Sequence, residues 1–397
     1  MRPLQEFLAT ETAGGVLLLA AAAVALFWAN APFGNSYDDF WSARVAVGIR
    51  AINIDLPLVG WVNDGLMAIF FFVAGLEIKR EVLRGELAAP RKAALPVFAA
   101  IGGMTVPAII YLAFNLGRSG EHGWAIPMAT DIAFAMGVLS LAGSRVPLSL
   151  KVFLLALAIV DDLAAIAVIA VIYTDDLSLG WLAAAVALFA LAFVLGRLGV
   201  RHIIVFAGIG VVAWLAVFES GIHATIAGVA LGLLTPIDQP AESSAAAGDG
   251  RSMFDTLEHI IHPWSSFVVV PIFALANAGI AIDGSIARDA ATSPVSLGVV
   301  LGLVLGKPIG IALFSFVAVK LRAATLPSDV GWPQVVAAAM VAGIGFTVSL
   351  FVTGLAFTDP ALADEAKLGI LAGSALIGVA GFVVLQVVSP APAEASP

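Results

Sequence analysis

The sequence predicts an all-α polytopic membrane protein of about twelve transmembrane helices, and three observations predict it. Of its 397 residues, 61% are hydrophobic and only 12% are charged, against roughly 45–50% apolar and about 25% charged in a typical soluble domain. The apolar residues form continuous runs of about 20, the length of helix that crosses a hydrocarbon core of roughly 30 Å. They do not show the ten-residue alternation of a transmembrane β-barrel. The charges that remain fall in short gaps between the runs, or at a few isolated points inside them. Such a chain is not a soluble enzyme, a disordered segment or a nucleic-acid binder. With no Cys, it has no disulfide framework, no Cys-ligated metal and no thiol chemistry.

Taken in order, the runs lie near 12–30, 58–82, 93–117, 122–143, 148–173, 178–197, 201–217, 221–234, 264–281, 296–319, 333–356 and 367–388. The first ends in Ala29-Asn30-Ala31, which resembles a signal-peptide cleavage site. Its N-terminal stretch sets Arg2 against Glu6 and Glu11, and the run exceeds a usual signal core, so a retained helix is expected. Between the first and second runs, residues 43–57 alternate: Val45, Val47, Ile49, then Ile52, Ile54, Leu56. That period of two fits a short β-hairpin, with an irregular loop as the alternative. An isolated hairpin is marginal in water, so it is expected to pair with something, and a second copy of the chain is a reasonable partner. The eighth run is short and rich in Gly and Thr. Residues 236–263 include the Ser/Ala/Gly stretch from Glu242 to Gly250 and read as a flexible cytoplasmic connector. Orientation follows from basic residues in loops. With both termini in the cytoplasm, thirteen of the 19 Lys and Arg lie inside and five outside, which puts the hairpin on the outer face.

An ionisable residue at membrane depth costs about 2.5–3.5 kcal/mol on insertion scales, so each one needs a reason. Asp161 and Asp162, in LLALAIVDDLAAIAVIAVI, sit about 12 residues, or roughly 18 Å, from either end of the fifth run. Neighbours on a helix point about 100° apart, so one can face a cavity while the other pairs with a different helix. The alternative places the pair at a turn between two shorter elements, but no Gly, Pro or Ser flanks it. Two carboxylates this close in a medium of low dielectric cannot both ionise easily. A proton and a cation then compete for them, and carboxylate oxygens suit a hard cation.

Lys307, in GLVLGKPIGIALF, is also mid-helix and calls for a buried carboxylate partner. A phosphate-loop reading fails there, because Pro308 stands where Ser or Thr belongs and the glycines are too close. Asp131, in AIPMATDIAFAMG with Thr130 beside it and Pro127 nearby, marks an interruption in the fourth run. Gly343-Ile344-Gly345-Phe346-Thr347 marks another weak spot in the eleventh. A broken helix exposes a positive and a negative end, which a nearby Asp and Lys neutralise. Close helix packing is the other reading of Gly343 and Gly345. Asp64 lies deeper in the second run than an interfacial anchor. Glu77 and Glu81, with Lys79 and Arg80, fit interfacial anchoring as well as function. His223 reads as structural, or as a group that titrates near neutral pH. Glu258 and His262 are four apart on one helix face, with His259 beside them, and read as a solvated helix end or a proton sensor.

Seven stretches, NDGLMAIFFFVAGLEIKRE, ATDIAFA, AIVDDLAAI, LEHIIHP, FALANAG, GKPIGI and GIGFT, occur in a fixed order along the chain. In that combination the chain resembles the NhaA family of bacterial sodium/proton antiporters over nearly its whole length. The resemblance implies that family's fold, with an inverted repeat (here 93–173 and 296–388), two interrupted helices and a site near the midplane. It implies that Asp161 and Asp162 bind sodium, lithium or protons, with Asp162 central, and that Lys307 pairs with Asp161 or itself releases a proton. Thr130, Asp131, Gly343 and Gly345 would support the interrupted helices, and Asp131 would offset half-helix charge. Asp64 would belong to the outer pathway. Glu77, Arg80, Glu81, Glu258, His259 and His262 would form a pH-response cluster at the inner funnel, and His223 is similarly tied to pH. The hairpin at 43–57 would be the contact of a homodimer. No cofactor is implied beyond the transported ions, and the setting is the lipid of a bacterial inner membrane.

The expected function is electrogenic exchange of sodium or lithium for protons, by alternating access at the aspartate pair, in a single transmembrane domain. A proton-coupled organic solute transporter on the same scaffold is the alternative. An intramembrane aspartyl protease would need its two acids on separate helices, and no HExxH is present for a zinc type.

Overall fold

The computed structural model describes residues 2–49, 52–174, 177–237, 252–282, 284–327 and 329–389. Helices dominate, and the alternating stretch forms the expected hairpin, with strands Arg44–Ile49 and Ile52–Pro57. The strands are antiparallel, pairing Val45 with Leu56 and Val47 with Ile54. Among the described residues, nine helices are long and apolar enough to cross a membrane. A tenth span is the pair Trp332–Val341 and Phe346–Ala356, bent by 48° at its break. The seventh and eighth runs form the shorter helices Ile203–Phe218 and Thr225–Leu234. At 1.5 Å per residue the eighth covers only about 15 Å, roughly half the hydrocarbon core.

The ninth helix departs from the sequence reading. It runs Met253–Asn277 and so takes in residues assigned above to the connector. Ser252 caps it, its hydroxyl accepting from the Asp255 N–H at 3.0 Å and donating to the Asp255 carboxylate at 2.7 Å. Such a cap satisfies an amide that the first turn leaves unpaired. Most of the remaining connector lies outside the described residues. The twelfth helix also begins early, at Pro360, where Asp359 caps it through the Ala361 N–H.

Chain contacts divide the protein into two compact units, one of 1–34, 81–165 and 277–397, the other of 35–80 and 166–276. Each unit draws on separated stretches, so no single composition boundary marks them in a sequence that reads as one domain.

In the first unit, the third helix (Pro90–Asn115) and the tenth (Pro294–Lys320) meet at glycines. A Cβ on Gly310 would fall 2.1 Å from the Gly102 carbonyl oxygen, and one on Gly306 would fall 2.8 Å from Pro107 Cα. Gly302, Gly306 and Gly310 recur every fourth residue and so share a helix face. Membrane helices associate by such small-residue contacts, because lipid supplies no hydrophobic drive between them. Gly310→Ala is expected to cost about 1–3 kcal/mol through overpacking, read as a lower thermal unfolding midpoint of the purified protein in detergent. The tenth helix also carries a π-helical turn, Gly302–Gly306, immediately before Lys307.

In the second unit, the second helix (Leu58–Arg84) packs on the eighth at backbone distance. A Cβ on Gly228 would fall 2.1 Å from the Ala68 carbonyl oxygen, and one on Gly75 2.6 Å from that of Val229. Leu76, Phe206, Met253, Phe254 and Leu257 form a buried cluster that fixes the start of the ninth helix. The hairpin is tied to the second helix by the Trp61 indole N–H, which donates to the Val45 carbonyl at 2.9 Å. Elsewhere large apolar side chains stand exposed, among them Ile204, Val387 and Val171, as lipid-facing helices require.

Candidate functional site

The aspartate pair lies within one uninterrupted helix, Leu148–Ile172, which removes the reading of a turn at that point. Both carboxylates are buried, Asp161 at 1% exposure and Asp162 at 5%. The fourth run is interrupted as expected. A 3₁₀ helix, Glu121–Met128, gives way to extended backbone at Ala129, and an α-helix resumes at Ile132. The eleventh is broken between Val341 and Phe346. The two breaks touch: the Asp131 N–H donates to the Ile344 carbonyl at 2.7 Å. Gly343 and Gly345 serve both of their sequence readings. They stand at the break, and a Cβ on Gly343 would fall 2.7 Å from the Leu303 carbonyl oxygen.

Breaking two helices in a membrane leaves four ends with unsatisfied backbone groups, each costly away from water. Side chains meet all four. The Asp131 carboxylate serves two N-terminal ends at once. Its Oδ1 accepts from the Phe134 N–H at 2.9 Å, and its Oδ2 from the Thr347 N–H at 3.0 Å and the Thr347 hydroxyl at 2.6 Å. An anion at these positive ends is favoured. At the negative end of the 3₁₀ segment, the Lys307 ammonium donates to the Met128 carbonyl. At the end of Trp332–Val341, the Thr130 hydroxyl lies 2.9 Å from the Ala342 carbonyl.

The same groups reach the aspartate pair. Lys307 Nζ lies 2.5 Å from Asp161 Oδ2 and 2.7 Å from Thr130 Oγ1. The Thr130 hydroxyl also faces Asp161 Oδ2 at 2.7 Å, so its one proton is divided between that oxygen and Ala342. Asp161 Oδ1 is buried and receives no hydrogen bond from any described residue. The Lys307 ammonium is fully buried and feels the Asp162 charge as well. The site is therefore one cation among two acids, with Asp161 Oδ1 lacking a donor among the described residues. That composition can accept a further cation or proton but cannot hold the maximum of each.

Two supporting residues were missed by sequence reading. The Ser374 hydroxyl, on the twelfth helix, accepts from the Gly345 and Phe346 N–H groups at 3.3 Å each. The Ser349 hydroxyl donates to the Ile126 carbonyl at 2.7 Å. A lone Ser in an apolar helix carries no signal of its partner, since it bonds its own preceding turn equally well.

The other candidates fall in two groups. In the second unit, Glu77 and His262 are buried and stand 3.4 Å apart, and Arg80 pairs with Glu258. Those four come together. His259, on the same helix, is exposed. Glu81 is spent locally, accepting the Glu86 N–H at 2.6 Å. His223 precedes the eighth helix, at the end opposite Thr235, where the Lys79 ammonium binds the Leu233 and Thr235 carbonyls at 2.8 and 2.6 Å. Sequence reading saw Lys79 as an anchor only, and the structure makes it a helix C-cap. Asp64 lies half-buried in a π-helical turn, Trp61–Leu66, and its backbone carbonyl accepts from the Trp214 indole at 2.8 Å. Among the described residues, no three His, Asp or Glu side chains converge as a resident metal ion would need.

The family described as Na+/H+ antiporter 1 matches residues 5–385. The chain is 49% identical over 393 residues to the Na(+)/H(+) antiporter NhaA of Shewanella sp. (strain ANA-3), covering 98% of both chains. The protein of that name from Shewanella oneidensis is likewise 49% identical, with 98% of both chains covered. That from Shewanella amazonensis is 48% identical, with 99% of both covered.

Proposed function

The chain belongs to the Na+/H+ antiporter 1 family, and from that premise we infer how it works. It is a multi-pass membrane protein that exchanges sodium for protons, a transporter rather than an enzyme. The organic solute alternative is not favoured, because the relatives are named for sodium and protons.

We propose that Asp161 and Asp162 are the groups for which sodium and protons compete, with Asp162 central. The observation that supports this most is the buried Lys307–Asp161 pair beside Asp162, at the meeting of two broken helices. The ammonium already neutralises the carboxylate a cation would use. Sodium must therefore displace Lys307 from Asp161, or take Asp162 while the Lys307 charge withdraws. Either way positive charge leaves as positive charge arrives, and that exclusion couples the two fluxes. Protons bind from outside and are released inside, where sodium replaces them. More protons than sodium ions move in each cycle, so exchange is electrogenic, and lithium, another small hard cation, is accepted. Asp64 lines the outer pathway. The protein works in a bacterial inner membrane with both termini cytoplasmic, as a homodimer joined through 43–57.

The test uses proteoliposomes with a trapped pH dye and an acidic interior. Sodium and lithium added outside are expected to alkalinise the interior, while potassium and choline are not. An imposed membrane potential should alter the rate. No cation-dependent response between pH 6.5 and 8.5 would reject exchange.

The cluster of Glu77, Arg80, Glu258 and His262 is proposed to set the pH response, with Glu81, His259 and His223 modulating it. Histidine is the side chain whose unperturbed charge change falls between pH 5 and 8, and His262 stands against Glu77. Glu77→Gln is expected to move the pH of half-maximal exchange while leaving the maximal rate intact. A profile that overlays wild type would remove the cluster from regulation.

A further inference from the structure

Within the first unit, a cavity of about 500 Å³ opens where the third and fifth helices begin. That volume falls in the roughly 300–1,000 Å³ range of small-molecule sites. Its floor is apolar, with Leu95 and Phe153 buried and Val152 and Leu326 half-buried. Its rim carries Glu86, Arg91 and Lys92. Lys92 pairs with Glu86 at 3.3 Å, and Arg91 has no acidic partner among the described residues. Ser149 also lines the cavity, and its hydroxyl oxygen is buried without a hydrogen-bond partner among the described residues.

An unmatched cation at the mouth, a polar group inside and an apolar floor together describe a site for an anionic amphiphile. The helix ends of a membrane-spanning chain lie at headgroup depth. There the abundant molecule of that chemistry is the phospholipid of the leaflet itself, and anionic headgroups are drawn to juxtamembrane Lys and Arg. We propose that this cavity binds one anionic phospholipid, with its phosphate on Arg91 and Lys92 and part of an acyl chain on the floor. The site adjoins the transporting helix: Ala156, which lines it, lies about 7.5 Å along the fifth helix from Asp161. The proposal does not depend on the antiport reading, because binding is read without transport.

Native mass spectrometry of the full chain in detergent tests it, with phosphatidylglycerol and phosphatidylcholine of identical acyl chains. Wild type is expected to retain one phosphatidylglycerol in preference to phosphatidylcholine. The Arg91→Gln, Lys92→Gln double variant should bind it on the order of tenfold more weakly. Val152→Phe, which fills the floor without touching charge, should also lose it. Arg84→Gln, nearby in sequence but outside the cavity, should not. Each variant is scored only if its thermal unfolding midpoint matches wild type, and loss in either cavity variant suffices. Equal retention of the two lipids, or wild-type binding in both cavity variants, would overturn the proposal. So would full displacement by glycerol phosphate, which would assign the site to a soluble phosphate.

Discussion

Asp162→Asn is expected to abolish sodium-driven proton movement at every pH while leaving the protein folded. The amide is nearly the same size as the carboxylate, so packing at this 5%-exposed position is kept. What disappears is the negative charge proposed to attract a cation and the oxygen proposed to take a proton. Exchange should fall by at least about 100-fold, the scale associated with removing one group that acts directly on the transferred charge. The measurement is alkalinisation of acid-loaded proteoliposomes after sodium addition, with the thermal unfolding midpoint as the control for folding. Residual sodium-dependent flux above about a tenth of wild type would mean that Asp161 can serve alone, and Asp162 would lose its central place.

Lys307→Ala should be the most destabilising single change in the first unit. It removes the partner of a buried carboxylate together with a donor to Thr130 and the Met128 carbonyl. Breaking a buried ion pair on one side costs about 3–5 kcal/mol, because the remaining charge is left uncompensated. The double variant Lys307→Ala, Asp161→Asn removes both charges and should recover much of that loss. If the ion pair is the reason, the double variant melts well above the single one. If the two melt together, Lys307 acts through its bulk and its carbonyl contact. Exchange in the double variant separates stability from transport, since a variant that folds but does not couple would place the Lys307–Asp161 pair, and not its stabilising effect alone, in the cycle.

Much of this arrangement was legible in the sequence because membranes make exceptions conspicuous. Asp161 and Asp162 stood out as charges without breakers beside them, and the helix is indeed unbroken there. Thr130 and Asp131, near Pro127, marked the fourth interruption. The period of two at 43–57 became the hairpin of Arg44–Ile49 and Ile52–Pro57. Other features were hidden for physical reasons. The start of the ninth helix carries two local signals: Ser252 with Asp255 three residues later is a capping pattern, and Met253, Phe254, Leu257, Ile260 and Ile261 follow helical spacing, but charges interrupt them, so no continuous apolar run begins there. The partner of Lys307 could not be read from local spacing, since Asp161 is 146 residues away. Ser374 gave no sign that it caps the break at Gly345. Of the charged cluster near the end of the second helix, helical spacing put Glu258 and His262 on one face, and the structure pairs them with Arg80 and Glu77. Spacing could not say that His259 would stay exposed while Lys79 turned to cap another helix.

The double service of Asp131 has a consequence for how the protein is made. Its carboxylate belongs to the fourth segment, and its partner Thr347 lies 216 residues further along the chain. At roughly 5–20 residues per second, synthesis needs about 10–40 s to deliver that partner. During this interval the fourth segment has no eleventh segment to receive its buried acid or its interrupted backbone. Its final form is therefore a late event of biogenesis, reached only when nearly the whole chain has left the ribosome. A nascent chain stalled before residue 346 should accordingly be held by the insertion machinery, or be degraded, as an unfinished product.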